Sequence, residues 1–162
     1  MNIDKKIILV TGGSSGIGLS TAIMLKEKGA EVIITGRNKS KLENTDAVIH
    51  LAGINLFSKR WNDKFKRAVL ESREVSTKNL VEAIKSCTNK PEVFVSASGI
   101  GYYGDCGETV LNENSAKGND FLSDVCEVWE NESVNVEESG VRSVQIRTGL
   151  VLSTEDGALK QM

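Results

Sequence analysis

Three glycines, Gly12, Gly16 and Gly18, have the types and spacing that speak first for chemistry. They lie in Thr11-Gly12-Gly13-Ser14-Ser15-Gly16-Ile17-Gly18, directly after the apolar run Ile7-Ile8-Leu9-Val10 and at the opening of a segment with helical periodicity. A strand, a glycine-rich turn and a helix in that order make a dinucleotide-phosphate site. Gly12 permits the tight turn, Gly16 lets the backbone approach a pyrophosphate, and Gly18 lets the helix pack closely on the strand. Ser14, Ser15 and Ile17 complete the cradle, where free N–H groups and the helix dipole face the phosphates. Leu51-Ala52-Gly53 closes a second apolar run and is expected beside the same ligand.

Those residues need a scaffold, and the chain alternates signals for one. A helix is predicted over Ile17 to Lys28, with Gly18, Ala22 and Leu25 sharing a buried stripe with Ile17, Thr21 and Met24. Gly29 ends it. Further strands are predicted at Glu31 to Thr35, Asp46 to Leu51, Glu92 to Ala97 and Val141 to Arg147. A long charged helix lies between Trp61 and Cys87, and another carries Leu122, Val125, Cys126, Trp129 and Val136 to Gly140. Gly99 to Asp120 reads as loop. Short buried strands alternating with helices imply right-handed crossovers and a parallel sheet. Gly36 to Thr45 is too short for a crossover helix beside the second strand, so the third strand belongs on the other side of the first. The expected architecture is three-layer α/β with a five-stranded parallel sheet, order 2-1-3-4-5. Its switch point falls between strands one and three, where ligands bind in such sheets.

Bulk properties narrow the function classes. A chain of 162 residues buries about 70% of its unfolded surface, enough for one domain without staples. A net charge of −2 argues against nucleic acid. No apolar run approaches a membrane span, and Met1-Asn2-Ile3-Asp4 lacks a signal-peptide pattern. Cys87, Cys106 and Cys126 form no Cys-x-x-Cys pair, so neither disulfides nor a metal site is indicated and a cytoplasmic location is expected.

The chain resembles the short-chain dehydrogenase/reductase superfamily, as a composite of two branches. Residues 6–43, with the glycine turn and Ile34-Thr35-Gly36-Arg37-Asn38, are similar to the compact single-domain branch. From Asp46 onward it resembles the atypical, sugar-nucleotide-epimerase-like proteins of the extended branch. The carrying residues include Asp46-Ala47-Val48-Ile49-His50-Leu51-Ala52-Gly53, Arg60-Trp61, Ser72-Arg73 and Phe94-Val95-Ser96-Ala97-Ser98. Gly101-Tyr102-Tyr103-Gly104, Asp120-Phe121-Leu122, Trp129-Glu130 and Arg147-Thr148-Gly149 add to them. The resemblance implies one Rossmann-like domain over residues 1–162, without the substrate lobe that family members add. It also implies a further strand and helix before Asp46, in whose place this chain has about eight residues.

Cofactor choice is expected to turn on Gly36-Arg37. A carboxylate at this turn would bind a ribose 2′-hydroxyl, whereas a guanidinium binds a 2′-phosphate through charge-assisted hydrogen bonds. NADP(H) is therefore expected, with NAD second, and Arg37 and Asn38 join Gly12, Ser14, Ser15, Gly16, Ile17, Gly18, Leu51, Ala52, Gly53 and Ser96 as cofactor residues. The other reading makes Arg37 a solvated turn cation. Family reductases use a tyrosine, a lysine four residues later and a serine. Ser98 matches that serine, but the matching helix start, Phe121-Leu122-Ser123-Asp124-Val125-Cys126, lacks the Tyr-Lys pair. Ser98 and Tyr103 are the catalytic candidates, and packing of Tyr102 and Tyr103 against the sheet is the alternative. His50 reads as a hydrogen-bonded structural histidine, with a place under the cofactor as the alternative, Cys126 as buried and inert, and Ser96 as packed in the strand end rather than at substrate. Arg147 is either near the cofactor or solvated. The run Lys59, Arg60, Lys64, Lys66, Arg67 reads as a solvated face, or else contacts a substrate diphosphate.

Three functions compete. One is an epimerase-like oxidoreductase acting on a small-molecule carbonyl or sugar-nucleotide substrate. Another is a catalytically inactive dinucleotide-binding module, and a third is a flavodoxin-like FMN carrier. Val32, Ile33 and Ile34 form a strand patterned for burial but placed at an edge, so a homodimer through that edge is expected.

Overall fold

The computed structural model describes residues 2–34 and 42–152. Strand β1 (Ile7–Thr11) leads through the glycine turn into α1 (Gly16–Glu27) and then β2 (Glu31–Ile34). Next come β3 (Ala47–His50), α2 (Asp63–Lys85), β4 (Val93–Gly99), α3 (Phe121–Val134) and β5 (Arg142–Thr148). The five strands pair in parallel in the order β2-β1-β3-β4-β5, as the short connection before β3 requires.

Each face of the sheet has its own core, which is why the strands read as continuous apolar runs. Leu9, Val48 and Phe94 pack with Val81, Ile84 and Cys87 of α2, and with Val136 and Val141. On the opposite face Ile8, Val10, Ala47 and Val93 meet Ala22 of α1 and Ala30. Among the described residues α1 alone covers this second face, so Ile49, Val95 and Val144 toward its far side are only partly buried and Ile146 is exposed.

Three local expectations are corrected. In α1 only Gly18 and Ala22 are buried, whereas Ile17 and Met24 are exposed. The helix leans on the sheet along its smallest residues, which makes its contact stripe narrow. The α-helix of α3 stops at Val134 and tightens into a 3₁₀ turn over Asn135–Ser139, ended by left-handed Gly140. A second 3₁₀ turn, Ile100–Tyr103, follows β4 where loop was expected.

His50 ties the sheet to α2. It is 1% exposed, with Nδ1 2.6 Å from Thr11 Oγ1 and Nε2 3.1 Å from Thr77 Oγ1. Thr77 donates its own proton to the Arg73 carbonyl, so it accepts from Nε2–H and leaves Nδ1 to accept from Thr11. This network assigns the neutral Nε2–H tautomer. Burial pushes the imidazole down from 6.5 to about 4. The unfolded chain therefore takes up this proton first as pH falls, and the His50 contribution is complete above about 6.5. It drains as pH drops from 6.5 toward 4, by about 3 kcal/mol at most. Denaturant midpoints measured across that window should fall in the parent chain and fall less in His50→Gln; a flat parent profile would refute the assignment.

Candidate functional site

The carboxyl ends of β1 and β3 meet at the switch point, and the glycine turn is built against them. Gly12 sits at φ +71°, and a Cβ there would lie 2.9 Å from Ala52 N and from the Leu51 carbonyl. Only glycine satisfies both the turn and this approach. A Cβ on Gly18 would land on the Gly12 carbonyl oxygen, so its absence lets α1 rest directly on the turn. Gly16, at φ +51°, has nothing within 4 Å of its Cβ position. That open side is where a ligand's phosphates could approach the backbone.

The start of α1 is correspondingly bare. Ser15 is its N-cap, with extended backbone and no side-chain cap, and no acidic residue stands in the first turn. By contrast Asn62 caps α2 at Phe65 N, and Asp120 caps α3 at Ser123 N. The first amides of α1, together with exposed Ser14 and Ser15, form an uncapped positive helix end suited to a diphosphate. Leu51 and Ala52 are half-buried beside it, Leu51 N donating to Thr11 O at 3.2 Å, and Gly53 is exposed. Arg37 and Asn38 lie outside the described residues.

The expected catalytic residues belong to one hydrogen-bonded group at the end of β4. Ser98 is 4% exposed and donates to Glu130 Oε1 at 2.6 Å. Arg147 grips the same carboxylate with both arms, Nε to Oε1 at 2.8 Å and Nη2 to Oε2 at 2.7 Å. Its Nη1 donates to the Tyr103 hydroxyl at 2.9 Å, and its guanidinium stacks 3.5 Å above the Tyr102 ring. Glu130 holds the Arg147 proton more tightly than in a free arginine. Ser98 and Tyr103 are thus brought together, through Glu130 and Arg147. Arg147 is ion-paired rather than solvated.

Ser96 is wholly buried, its hydroxyl 3.2 Å from the Ala97 carbonyl, so it reaches no open surface of the switch point. Cys126 is buried with Sγ 3.7 Å from the Gly99 carbonyl, and burial pushes its thiol up, away from the reactive thiolate. Lys59, Arg60, Lys64 and Arg67 are exposed, while Lys66 lies 5.4 Å over the Phe121 ring. Among the described residues no cluster of His, Cys, Asp or Glu could hold a metal. No helix there is long and apolar enough to cross a membrane.

A short chain dehydrogenase family model matches residues 6–116. The chain belongs to that family. An epimerase family protein of Mycobacterium leprae is 31% identical over 98% of this chain and 57% of its own length. The human epimerase family protein SDR39U1, crystallised with NADPH, superposes with a TM-score of 0.86 at 30% identity. That match covers 95% of this chain and 57% of the human one. A nucleoside-diphosphate sugar epimerase from Corynebacterium glutamicum gives a TM-score of 0.83 at 31% identity, over 97% of this chain and 36% of its own. This short chain dehydrogenase thus spans little more than half the length of the first two relatives.

Proposed function

We propose that this chain is the NADP(H)-binding domain of an epimerase-like short-chain dehydrogenase. The observation that carries the reading is the uncapped start of α1 behind Gly16, whose Cβ position is open, at the switch point of the sheet. The NADPH in the human relative supports it, as does the sequence pair Gly36-Arg37, where NAD-selecting chains carry a carboxylate. Gly12, Ser14, Ser15, Gly16, Ile17 and Gly18 would hold the diphosphate. Arg37 and Asn38 would take the 2′-phosphate, and Leu51, Ala52 and Gly53 would border the nicotinamide half. The bound cofactor supplies hydride-transfer chemistry. Titrations with NADPH, NADH and FMN should show NADPH at least about tenfold tighter than NADH, a gap of about 1.4 kcal/mol. FMN should bind weakest, and Arg37→Asp should erase the preference; equal affinities in the parent chain would refute it.

For the reacting end the same reading uses Ser98 and Tyr103. Ser98 commits its proton to Glu130, so its remaining lone pairs suit a substrate hydroxyl. The Tyr103 oxygen receives a hydrogen bond from Arg147, which leaves its own proton free for a carbonyl oxygen. The substrate class is a small-molecule carbonyl or sugar nucleotide, in keeping with the name of the Corynebacterium relative. In NADPH oxidation against a carbonyl panel, Tyr103→Phe should lower kcat about 100-fold with cofactor affinity unchanged. Absence of turnover in the parent chain would favour the inactive binding module.

The exposed edge of β2, where Ile34 is 45% accessible, is where two copies would pair. Light scattering at rising concentration should show a dimer that Ile34→Lys disperses; a monomer throughout would remove this surface from the reading.

A further inference from the structure

Arg73 differs from Arg147 in one decisive respect: no carboxylate among the described residues neutralises it. It is 8% exposed on the inner face of α2, and its acceptors are the Val69 carbonyl at 3.1 Å, the Ser72 hydroxyl at 3.2 Å and the Ile54 carbonyl at 3.2 Å. All three are uncharged, and no carboxylate pairs with it among the described residues. A guanidinium does not shed its proton in proteins, so the charge stays. Buried charges are ordinarily paired, because an uncompensated one is expensive.

Two further observations show where a counter-charge would come from. Gly53 is exposed, and a Cβ there would stand 3.3 Å from Arg73 Cζ and 3.4 Å from Nη2. On the Gly53 side no side chain stands over the guanidinium, just past the end of β3. Beneath it the Trp129 ring lies 5.0 Å from Cζ, and Trp129 Nε1 is buried without a hydrogen-bond partner among the described residues. A cation without an anion and an N–H without an acceptor therefore occupy the same layer between α2 and α3.

We propose that Arg73, reached past Gly53, binds an oxyanion, a carboxylate or phosphate, carried by the substrate beside the dinucleotide. The proposal deepens the functional reading above by giving the substrate a negative group next to its reacting end. A planar guanidinium suits either anion through paired N–H donors.

The test uses the two tryptophans of the chain. In a Trp61→Phe background Trp129 is the remaining reporter, and its emission is followed while inorganic phosphate or acetate is added. A saturable response to one of them is expected, and the anion that saturates names the class. Arg73→Met should weaken it at least tenfold. Gly53→Ala keeps the charge and narrows the approach, so it should weaken the response likewise even if Arg73→Met fails to fold. The response should persist in protein saturated with NADPH. A linear response, or one unchanged in both variants, identifies an adventitious ion only and overturns the proposal, as does its loss on NADPH addition, which would assign Arg73 to the cofactor. Phosphate binding in a chain that does not bind NADPH would sustain this site and refute the cofactor reading, so the two failures are separable.

Discussion

The structure depends on backbone meeting backbone at the first turn. Gly18 rests on the Gly12 carbonyl, and Gly12 in turn abuts Leu51 and Ala52 at the end of β3. No side chain mediates either contact, so no rearrangement of rotamers can relieve an added methyl group at these two positions. The contact brings α1, β1 and β3 into one rigid corner, and the uncapped amides of α1 are aimed by that corner. The cost is visible in α1 itself. A helix drawn down on Gly18 and Ala22 leaves Ile17 and Met24 outside the core.

Polar groups at the switch point are arranged in two different states of completeness. Thr11, His50 and Thr77 form a closed chain in which each proton has an acceptor, and the imidazole stays neutral. Ser98, Glu130, Arg147 and Tyr103 form another, with the carboxylate and guanidinium compensating each other. Such networks hold their members rigidly when complete. The Arg73 guanidinium and Trp129 Nε1 are completed by neither, although the Arg73 carbonyl ends the first chain by accepting from Thr77. The unfinished polar pairing is therefore local, beside groups whose positions are fixed.

Sequence reading reached the backbone-driven features well, because glycine spacing and connection length act directly on backbone geometry. The sheet order followed from the short segment between β2 and β3. The tight turn at Gly12 and the close helix approach at Gly18 likewise followed from glycine spacing. Side-chain pairing was harder to read. Ser98 and Glu130 are 32 residues apart and Glu130 and Arg147 are 17 apart, so no local pattern joins them. One signal was available: Glu130 stands one turn after Cys126, a charge beside the apolar stripe Leu122, Val125, Cys126 and Trp129. Arg73 was hidden for a similar reason, since the basic run before it, Lys59 to Arg67, reads as a solvated face and only the packing of α2 against Trp129 of α3 shows that this cation is buried. The exposure of Ile17 and Met24 was missed because helical periodicity identifies an apolar side but not how wide a stripe its neighbours cover.

The Arg147–Glu130 pair also differs from the tyrosine-lysine pair that the superfamily resemblance implies for its reductases. A lysine beside a tyrosine acts through its net positive field. Arg147 lies as close to both tyrosines, 5.0 Å from the Tyr103 ring centre and 3.5 Å from that of Tyr102. Its charge, however, is already matched by a bidentate carboxylate. A compensated pair offers a directed N–H to the Tyr103 oxygen but little net field beyond it, because the carboxylate opposes the guanidinium at similar range. The geometry therefore favours a role for Arg147 in orienting the phenol over one in ionising it. Among the described residues the buried cation without a carboxylate is Arg73, packed on Trp129 of α3, and that is where the field for an anionic substrate group would originate.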